Sequence, residues 1–88
     1  MKILFVRNGW LDYQHWVAHD EAVHRRLKKL IEECTKTPFV ATGKPEPLRR
    51  NLRGWWSRRL TNEHRLVYRV TGSDDDQALE ILQCRGHY

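Results

Sequence analysis

The chain opens with a short apolar run and then changes to a helical pattern of apolar and polar positions. Residues 2–7 are rich in β-branched and aromatic side chains, which predicts a first strand. Asn8-Gly9 then favours a break that could cap a helix. Apolar residues recur beyond it at helical spacing, namely Trp10, Tyr13, Trp16 and Val17. The pattern predicts a strand followed by an amphipathic helix.

A second helix is predicted after Asp20, because aspartate is a favourable N-cap residue. One stripe of this helix is apolar and consists of Val23, Leu27, Leu30, Ile31 and Cys34. The helix should end before Pro38, since proline disfavours helical geometry in the residue that precedes it.

The second half of the chain changes to a period of two. A loop, "TPFVATGKPEPL", holds all three prolines. Short strands or extended segments are expected at 48–52, 55–60, 64–70 and 78–85. Turns should separate them at Gly54, at 61–63 and at 72–77, of which the last is a polar hairpin loop. The clearest alternation is in 64–70, with Leu66, Tyr68 and Val70 on one face.

The order of elements is strand, two helices, then three or four strands, which indicates the α+β class. We expect a single domain over residues 1–88, with an antiparallel sheet and the two N-terminal helices packed on one face. The other face would be open. Alternating arginines should point to that open face, because a guanidinium is not buried unpaired.

Charge is concentrated in the strand region. The net charge is +5, which favours a polyanionic partner such as nucleic acid, a membrane surface or an acidic protein. Modest basicity can also serve solubility alone. Clustering favours a binding role, because one stretch holds seven arginines with Glu63 as the single acid among them: Arg49, Arg50, Arg53, Arg58, Arg59, Arg65 and Arg69.

Cysteine and histidine usage gives no indication of a metal or a disulfide framework. Cys34 and Cys84 lack the spacing of a zinc site, and we interpret both as small buried apolar residues. His15, His24 and His64 are expected near the surface without a shared metal. No signal peptide or membrane span is evident, so a cytoplasmic location is expected.

Three groups have the chemistry for cleaving RNA without a metal. Glu46 lies between two prolines that restrict its backbone, Arg65 begins the clearest strand, and His87 follows the last strand directly. An antiparallel hairpin across Gly72 would bring His87 beside Arg65. A base for the ribose 2′-OH, an acid for the leaving oxygen and a cation for the phosphoryl charge meet the needs of this reaction. Each residue could equally be a solvated surface group.

The stretch "GKPEPLRRNLRGWWSRRLTNEHRLVYRV" resembles the central signature of the YoeB (Txe) family, within the RelE-like superfamily of bacterial toxins. The terminal "CRGHY", the leading "TPF" and the spaced "WLDYQHW" are also similar to that family. The resemblance covers essentially the whole chain. It implies a RelE-like microbial RNase fold and a ribosome-dependent mRNA endonuclease, the toxin of a type II toxin–antitoxin pair.

The resemblance also implies roles for individual residues. Glu46 would be the general base, Arg65 the phosphate-stabilising cation, His87 the general acid and Tyr88 a residue that positions substrate. Three further cations would contact RNA or phosphate, namely Lys44, Arg49 and Arg59. No metal or cofactor is implied. The implied partners are a YefM/Phd-like antitoxin, the ribosome with its mRNA, and a second copy of the chain.

Two features depart from the family pattern. Gly86 stands where the family usually has tyrosine or another larger residue before His-Tyr, and the 72–77 loop is longer and more acidic. The competing hypotheses are a non-catalytic homologue that binds RNA or antitoxin and acts in DNA autoregulation, and a small basic structural protein. An intact set of Glu46, Arg65 and His87 favours the enzyme, because binding alone needs cations but no carboxylate base.

Overall fold

The computed structural model describes residues 1–40 and 44–87. Within them the chain forms two helices and a five-stranded sheet with the spatial order β1-β5-β4-β3-β2. In chain order the elements are β1 (Lys2–Phe5), α1 (Arg7–His19), α2 (Glu21–Lys36), β2 (Glu46–Pro47), β3 (Trp56–Arg59), β4 (Arg65–Thr71) and β5 (Ala78–Gln83). Two 3-10 turns cover Arg50–Leu52 and Asp74–Asp76.

The expected α+β class is confirmed, with one refinement to the sheet. β2, β3, β4 and β5 form antiparallel neighbours, whereas β1 runs parallel to β5 and makes the sheet mixed. A parallel pair requires a long crossover connection. Both helices lie in the chain between β1 and β5 and form part of that connection. In the sheet, β1 pairs only with β5 and lies at one edge.

The core forms between the helices and one face of the sheet. The predicted stripe of α2 is confirmed, since Leu27, Leu30, Ile31 and Cys34 are buried and Val23 packs against them. The opposing sheet residues are Leu66, Tyr68, Leu79 and Ile81. The stripe of α1 is only partly correct: Trp16 is buried, but Trp10 and Val17 are exposed.

The boundaries of α2 follow local signals. The side chain of Asp20 accepts a hydrogen bond from the amide of Val23 at 3.1 Å, so the predicted N-cap is confirmed. The helix ends at Lys36, ahead of Pro38, as expected.

The break expected at Asn8-Gly9 is wrong, because α1 begins at Arg7 and both residues lie inside it. Gly9 has a different role. A Cβ atom there would lie 2.5 Å from the carbonyl oxygen of Ile81, so the glycine permits α1 to approach the backbone of β5 closely.

The extended segment expected at 48–52 is also incorrect. Arg50–Leu52 forms a 3-10 turn, entered through Arg50 with a φ of 59°. The paired segment lies just before it, where Glu46–Pro47 forms a two-residue strand against β3. Proline fits there because β2 is an edge strand.

Arg58 contradicts the expectation that the clustered arginines all point to the open face. It is fully buried. Its Nε donates to the hydroxyl of Tyr68 at 3.1 Å, and its Nη2 donates to the carbonyls of Val40, at 2.9 Å, and Thr37. Tyr68 in turn donates to the carbonyl of Pro38. Burial is tolerated because these acceptors satisfy the guanidinium.

The two cysteines are free and buried, as expected. Burial raises the pKa of Cys34 to about 11 and that of Cys84 to about 12. No helix in residues 1–40 and 44–87 is long and apolar enough to cross a membrane.

Candidate active site

Strand register places three of the expected site residues on the open face of the sheet. Glu46 lies opposite Ser57, and Arg59 lies opposite Arg65. Residues two apart on a strand share a face, so Glu46, Arg59 and Arg65 share the face that points away from the helices. Ser57 and Val67 occupy the paired positions beside them and are buried.

The separation of Glu46 and Arg65 follows from sheet geometry. They lie two strands apart and are offset by two residues. With strands about 4.8 Å apart and a rise of about 3.4 Å per residue, their Cα atoms are roughly 12 Å apart. The two residues therefore lie on one stretch of the open face.

The guanidinium of Arg65 is held by backbone carbonyls. Its Nη1 donates to the carbonyl oxygens of Thr61 at 2.8 Å and His64 at 3.0 Å, both in the turn that precedes β4. Among the residues that the structure describes, no acidic side chain forms an ion pair with Arg59 or Arg65. Two like charges on directly opposed strand positions are unfavourable unless an anion lies near them.

The chain beyond β5 is anchored up to Gly86. The amide of Cys84 donates to Asp12 Oδ2 at 3.1 Å, and its carbonyl accepts from Trp16 Nε1 at 2.9 Å. The amide of Gly86 donates to His64 Nδ1 at 2.8 Å. Its carbonyl accepts from the amide of Arg65 at 3.0 Å. His87 therefore starts from a fixed point beside β4.

Two of the remaining expected residues are exposed, and the third lies outside the described residues. Lys44, two residues before Glu46, and Arg49 are exposed. Arg49 borders a shallow depression of about 400 Å³ shared with Leu48, Arg50 and Arg53. Tyr88 lies outside the described residues, so its expected role is untested.

A second cationic position on the open face is neutralised within the chain. Arg69 contacts one carboxylate oxygen of Glu80 through Nη2 at 2.7 Å and Nε at 2.8 Å. Its guanidinium carbon lies 4.4 Å from the centre of the Trp55 ring. Trp56, by contrast, packs against the core. The two tryptophans are adjacent in the chain, so strand alternation places their rings on opposite faces of the sheet.

Comparison with known proteins gives a consistent result along the chain. A family model described as a YoeB-like toxin of bacterial type II toxin–antitoxin systems matches residues 5–88. The chain belongs to this family. Toxin YoeB of Streptomyces coelicolor is 49% identical and Toxin YoeB of Escherichia coli K12 is 47% identical, each over the full length of both chains.

Solved structures of YoeB toxins share the fold. A YoeB/ParE toxin from Agrobacterium tumefaciens matches with a TM-score of 0.96 at 46% identity over 100% of both chains. A heterotetrameric YoeB-YefM complex from Staphylococcus aureus matches with a TM-score of 0.85 at 34% identity, covering 100% of this chain and 98% of that one. A Mycobacterium tuberculosis RelBE2 complex, at 23% identity and a TM-score of 0.63 over 98% and 96% of the chains, shows the RelE-like fold alone.

Gly86 adopts a backbone conformation that suits glycine. Its φ is +82°, in the left-handed region, and no heavy atom lies within 4 Å of the position that a Cβ atom would occupy. Both its amide and its carbonyl are hydrogen-bonded. The residue therefore allows a turn after the anchored segment and directs the chain into His87.

Sequence reasoning missed the residues that hold this terminal segment in the YoeB-like chain. Trp16 was assigned to a helical stripe, Asp12 appeared only within the motif "WLDYQHW", and His64 was assigned only to the surface. The spacing of Asp12 and Trp16, four residues apart, puts both on one face of α1. Without the register of β5 nothing in the sequence connects that face with Cys84.

Proposed function

We propose that this chain is a metal-independent endoribonuclease that cleaves mRNA on the ribosome. Glu46 accepts the proton of the ribose 2′-OH, and Arg65 with Arg59 stabilises the charge that develops on the phosphoryl oxygens. His87 protonates the 5′-oxygen leaving group, and Tyr88 positions the substrate. Together these groups supply proton acceptance, proton donation and charge stabilisation, so the mechanism needs no cofactor.

One observation carries this proposal. The register that sets Arg59 against Arg65 also brings Glu46 onto the same face, while the amide of Arg65 binds the carbonyl of the residue before His87. These contacts support a site in which a carboxylate, two guanidinium groups and an imidazole act on one phosphodiester group. A fold that only bound a polyanion would have no use for the carboxylate.

The proposed role of the ribosome is to hold the mRNA in position while the toxin supplies the reacting groups. The register places Glu46, Arg59 and Arg65 on the open face, where cations dominate, and the ring of Trp55 is covered by Arg69. Such a face binds phosphate but offers little to distinguish one base from another. Orientation of the reacting groups can contribute about 7–11 kcal/mol to lowering a barrier. A weakly selective site would obtain that orientation from mRNA already held by the ribosome, with Lys44 and Arg49 contacting phosphates.

The proposed setting is a cytoplasmic toxin controlled by a YefM/Phd-like antitoxin. The S. aureus relative forms a heterotetrameric complex with YefM, and another of its structures is a YoeB dimer. We propose that an acidic, partly disordered antitoxin segment covers the basic open face and folds on binding. The free toxin would be a single-domain protomer of a homodimer.

Single-turnover cleavage of mRNA on saturating programmed ribosomes tests the chemistry. Glu46→Gln and His87→Gln should each slow cleavage by about 10²–10⁴-fold, because an amide neither accepts nor donates the required proton. Ribosome binding should persist in both variants, since phosphate contacts dominate affinity. Lys2→Ala, on the opposite edge strand, is the control and should cleave at the wild-type rate.

Three outcomes would contradict the proposal. A wild-type rate for Glu46→Gln would exclude Glu46 as the base. Equal cleavage of naked and ribosome-bound mRNA would exclude the positioning role of the ribosome. If the wild-type chain does not cleave but binds antitoxin and operator DNA tightly, the chain is a non-catalytic regulator.

A further inference from the structure

His64 is the residue that connects helix α1, the turn before β4 and the terminal segment. Its ring packs edge-on against Trp16, with ring centres 4.7 Å apart. Its amide donates to Thr61 Oγ1 at 3.1 Å, and its carbonyl accepts from the amide of Leu60 at 3.0 Å. Packing and backbone hydrogen bonds therefore restrict both the position of the ring and the direction of Nδ1.

The Nδ1 atom of this ring accepts the amide hydrogen of Gly86 at 2.8 Å. The next residue, Arg65, donates its amide to the carbonyl of Gly86 at 3.0 Å. Two consecutive residues thus hold both polar backbone groups of Gly86. A ring nitrogen accepts through its lone pair, so this contact assigns the acceptor role to Nδ1 and the ring hydrogen to Nε2.

We propose that His64 is a positioning residue that sets the place of His87 by holding Gly86. The inference rests on the proposed function, in which His87 protonates the leaving oxygen. Glycine has the largest conformational freedom of any residue, and Gly86 lies directly before the acid. Without the hydrogen bond from its amide, Gly86 keeps only the hydrogen bond to its carbonyl. Its backbone can then rotate, which moves His87 away from the leaving oxygen.

Two substitutions distinguish the hydrogen bond accepted by Nδ1 from the packing of the ring against Trp16. In His64→Asn the side-chain oxygen can take the place of Nδ1 and accept from Gly86, without being titratable. In His64→Leu an apolar side chain still packs against Trp16, but the acceptor is lost. A displacement of about 1 Å can cost roughly 10²-fold in rate, so we expect His64→Leu to lose about 10- to 100-fold and His64→Asn to retain most of the activity.

His24 supplies a matched control. It is also half-buried, its Nε2 lies 3.0 Å from the hydroxyl of Tyr13, and its ring meets the Tyr13 ring edge-on at 5.2 Å between centres. It lies on α2, away from the terminal segment. His24→Leu therefore removes an equivalent ring and hydrogen bond, and should leave the single-turnover rate unchanged.

The first experiment combines two readouts on the full chain. Amide hydrogen exchange of Gly86 reports the anchor, and single-turnover cleavage of mRNA on programmed ribosomes reports chemistry. In His64→Leu we expect faster exchange at Gly86 and a lower rate at saturation, with the half-saturating ribosome concentration unchanged. Loss of protection with a wild-type rate would overturn the proposal, as would a slow His64→Asn with Gly86 still protected. If the wild type itself does not cleave, the proposed function fails, whereas the exchange result still reports on the anchor.

A second experiment keeps the test decisive if His64→Leu does not fold. The same two readouts are then compared between His64→Asn and the wild type. A protected Gly86 amide with a wild-type rate supports the proposal, and a protected amide with slow cleavage would overturn it.

Discussion

Replacing Arg58 by methionine tests the most unexpected feature of the fold. Arg58 is fully buried, and its guanidinium joins Tyr68 to the carbonyls of Thr37 and Val40 at the end of α2. Methionine keeps a long apolar stem in this space but removes the charge and every donor. The change therefore isolates what the guanidinium contributes to stability.

The expected magnitude follows from the contacts. A hydrogen bond to a charged group contributes about 1.5–3 kcal/mol, so three such bonds contribute roughly 4.5–9 kcal/mol before the cost of burying the charge, which is several kcal/mol. Thr37 and Val40 are exposed, so water can rehydrate their carbonyls. We expect a net loss of about 3 kcal/mol in the free energy of unfolding, which is the contribution of the hydrogen bonds less the cost of burying the charge.

Urea and thermal unfolding followed by circular dichroism measure this loss. A change of about 3 kcal/mol should lower the melting temperature by roughly 12–24 °C. The neighbouring Arg59 lies on the same strand and is exposed, so Arg59→Met is the control and should change stability by less than about 0.5 kcal/mol. If the two variants unfold alike, the buried guanidinium is not a stabilising contact and our reasoning is wrong.

Two further predictions concern local chemistry. Because burial raises the pKa of Cys34 to about 11 and of Cys84 to about 12, little thiolate exists at pH 8, and iodoacetamide should label both cysteines only after denaturation; rapid labelling of native protein would contradict their burial. Asp20→Ala removes the acceptor for the Val23 amide and should cost about 1 kcal/mol in urea unfolding, whereas Asp20→Asn, which can still cap, should not.

Local signals predicted the elements whose ends depend on neighbouring residues. The Asp20 cap and the end of α2 before Pro38 both agree with the structure, because capping and proline sterics act within one turn. The break predicted at Asn8-Gly9 was wrong for the opposite reason. Gly9 serves a contact with Ile81, seventy-two residues later in the chain, which no local pattern contains.

The candidate site was predictable in part. Hairpin pairing across Gly72 correctly brings the chain beyond β5 beside Arg65, and the amide of Arg65 meets the carbonyl of Gly86. The anchoring of Gly86 by His64, and of Cys84 by α1, was not predictable. Those contacts depend on how segments far apart in the chain pack together, and sequence spacing does not give the distances between them.

The sequence by itself determined the α+β class, the buried stripe of α2, the alternation of β4 and the resemblance to the YoeB family. All of these follow from short-range periodicity or from motif identity. Only the tertiary structure decided that β1 pairs parallel with β5 and that Arg58 turns inward while Arg59 and Arg65 turn outward. The physical reason is that strand register assigns faces: shifting it by one residue exchanges the buried and exposed sets. Register is fixed by contacts between residues far apart in the chain.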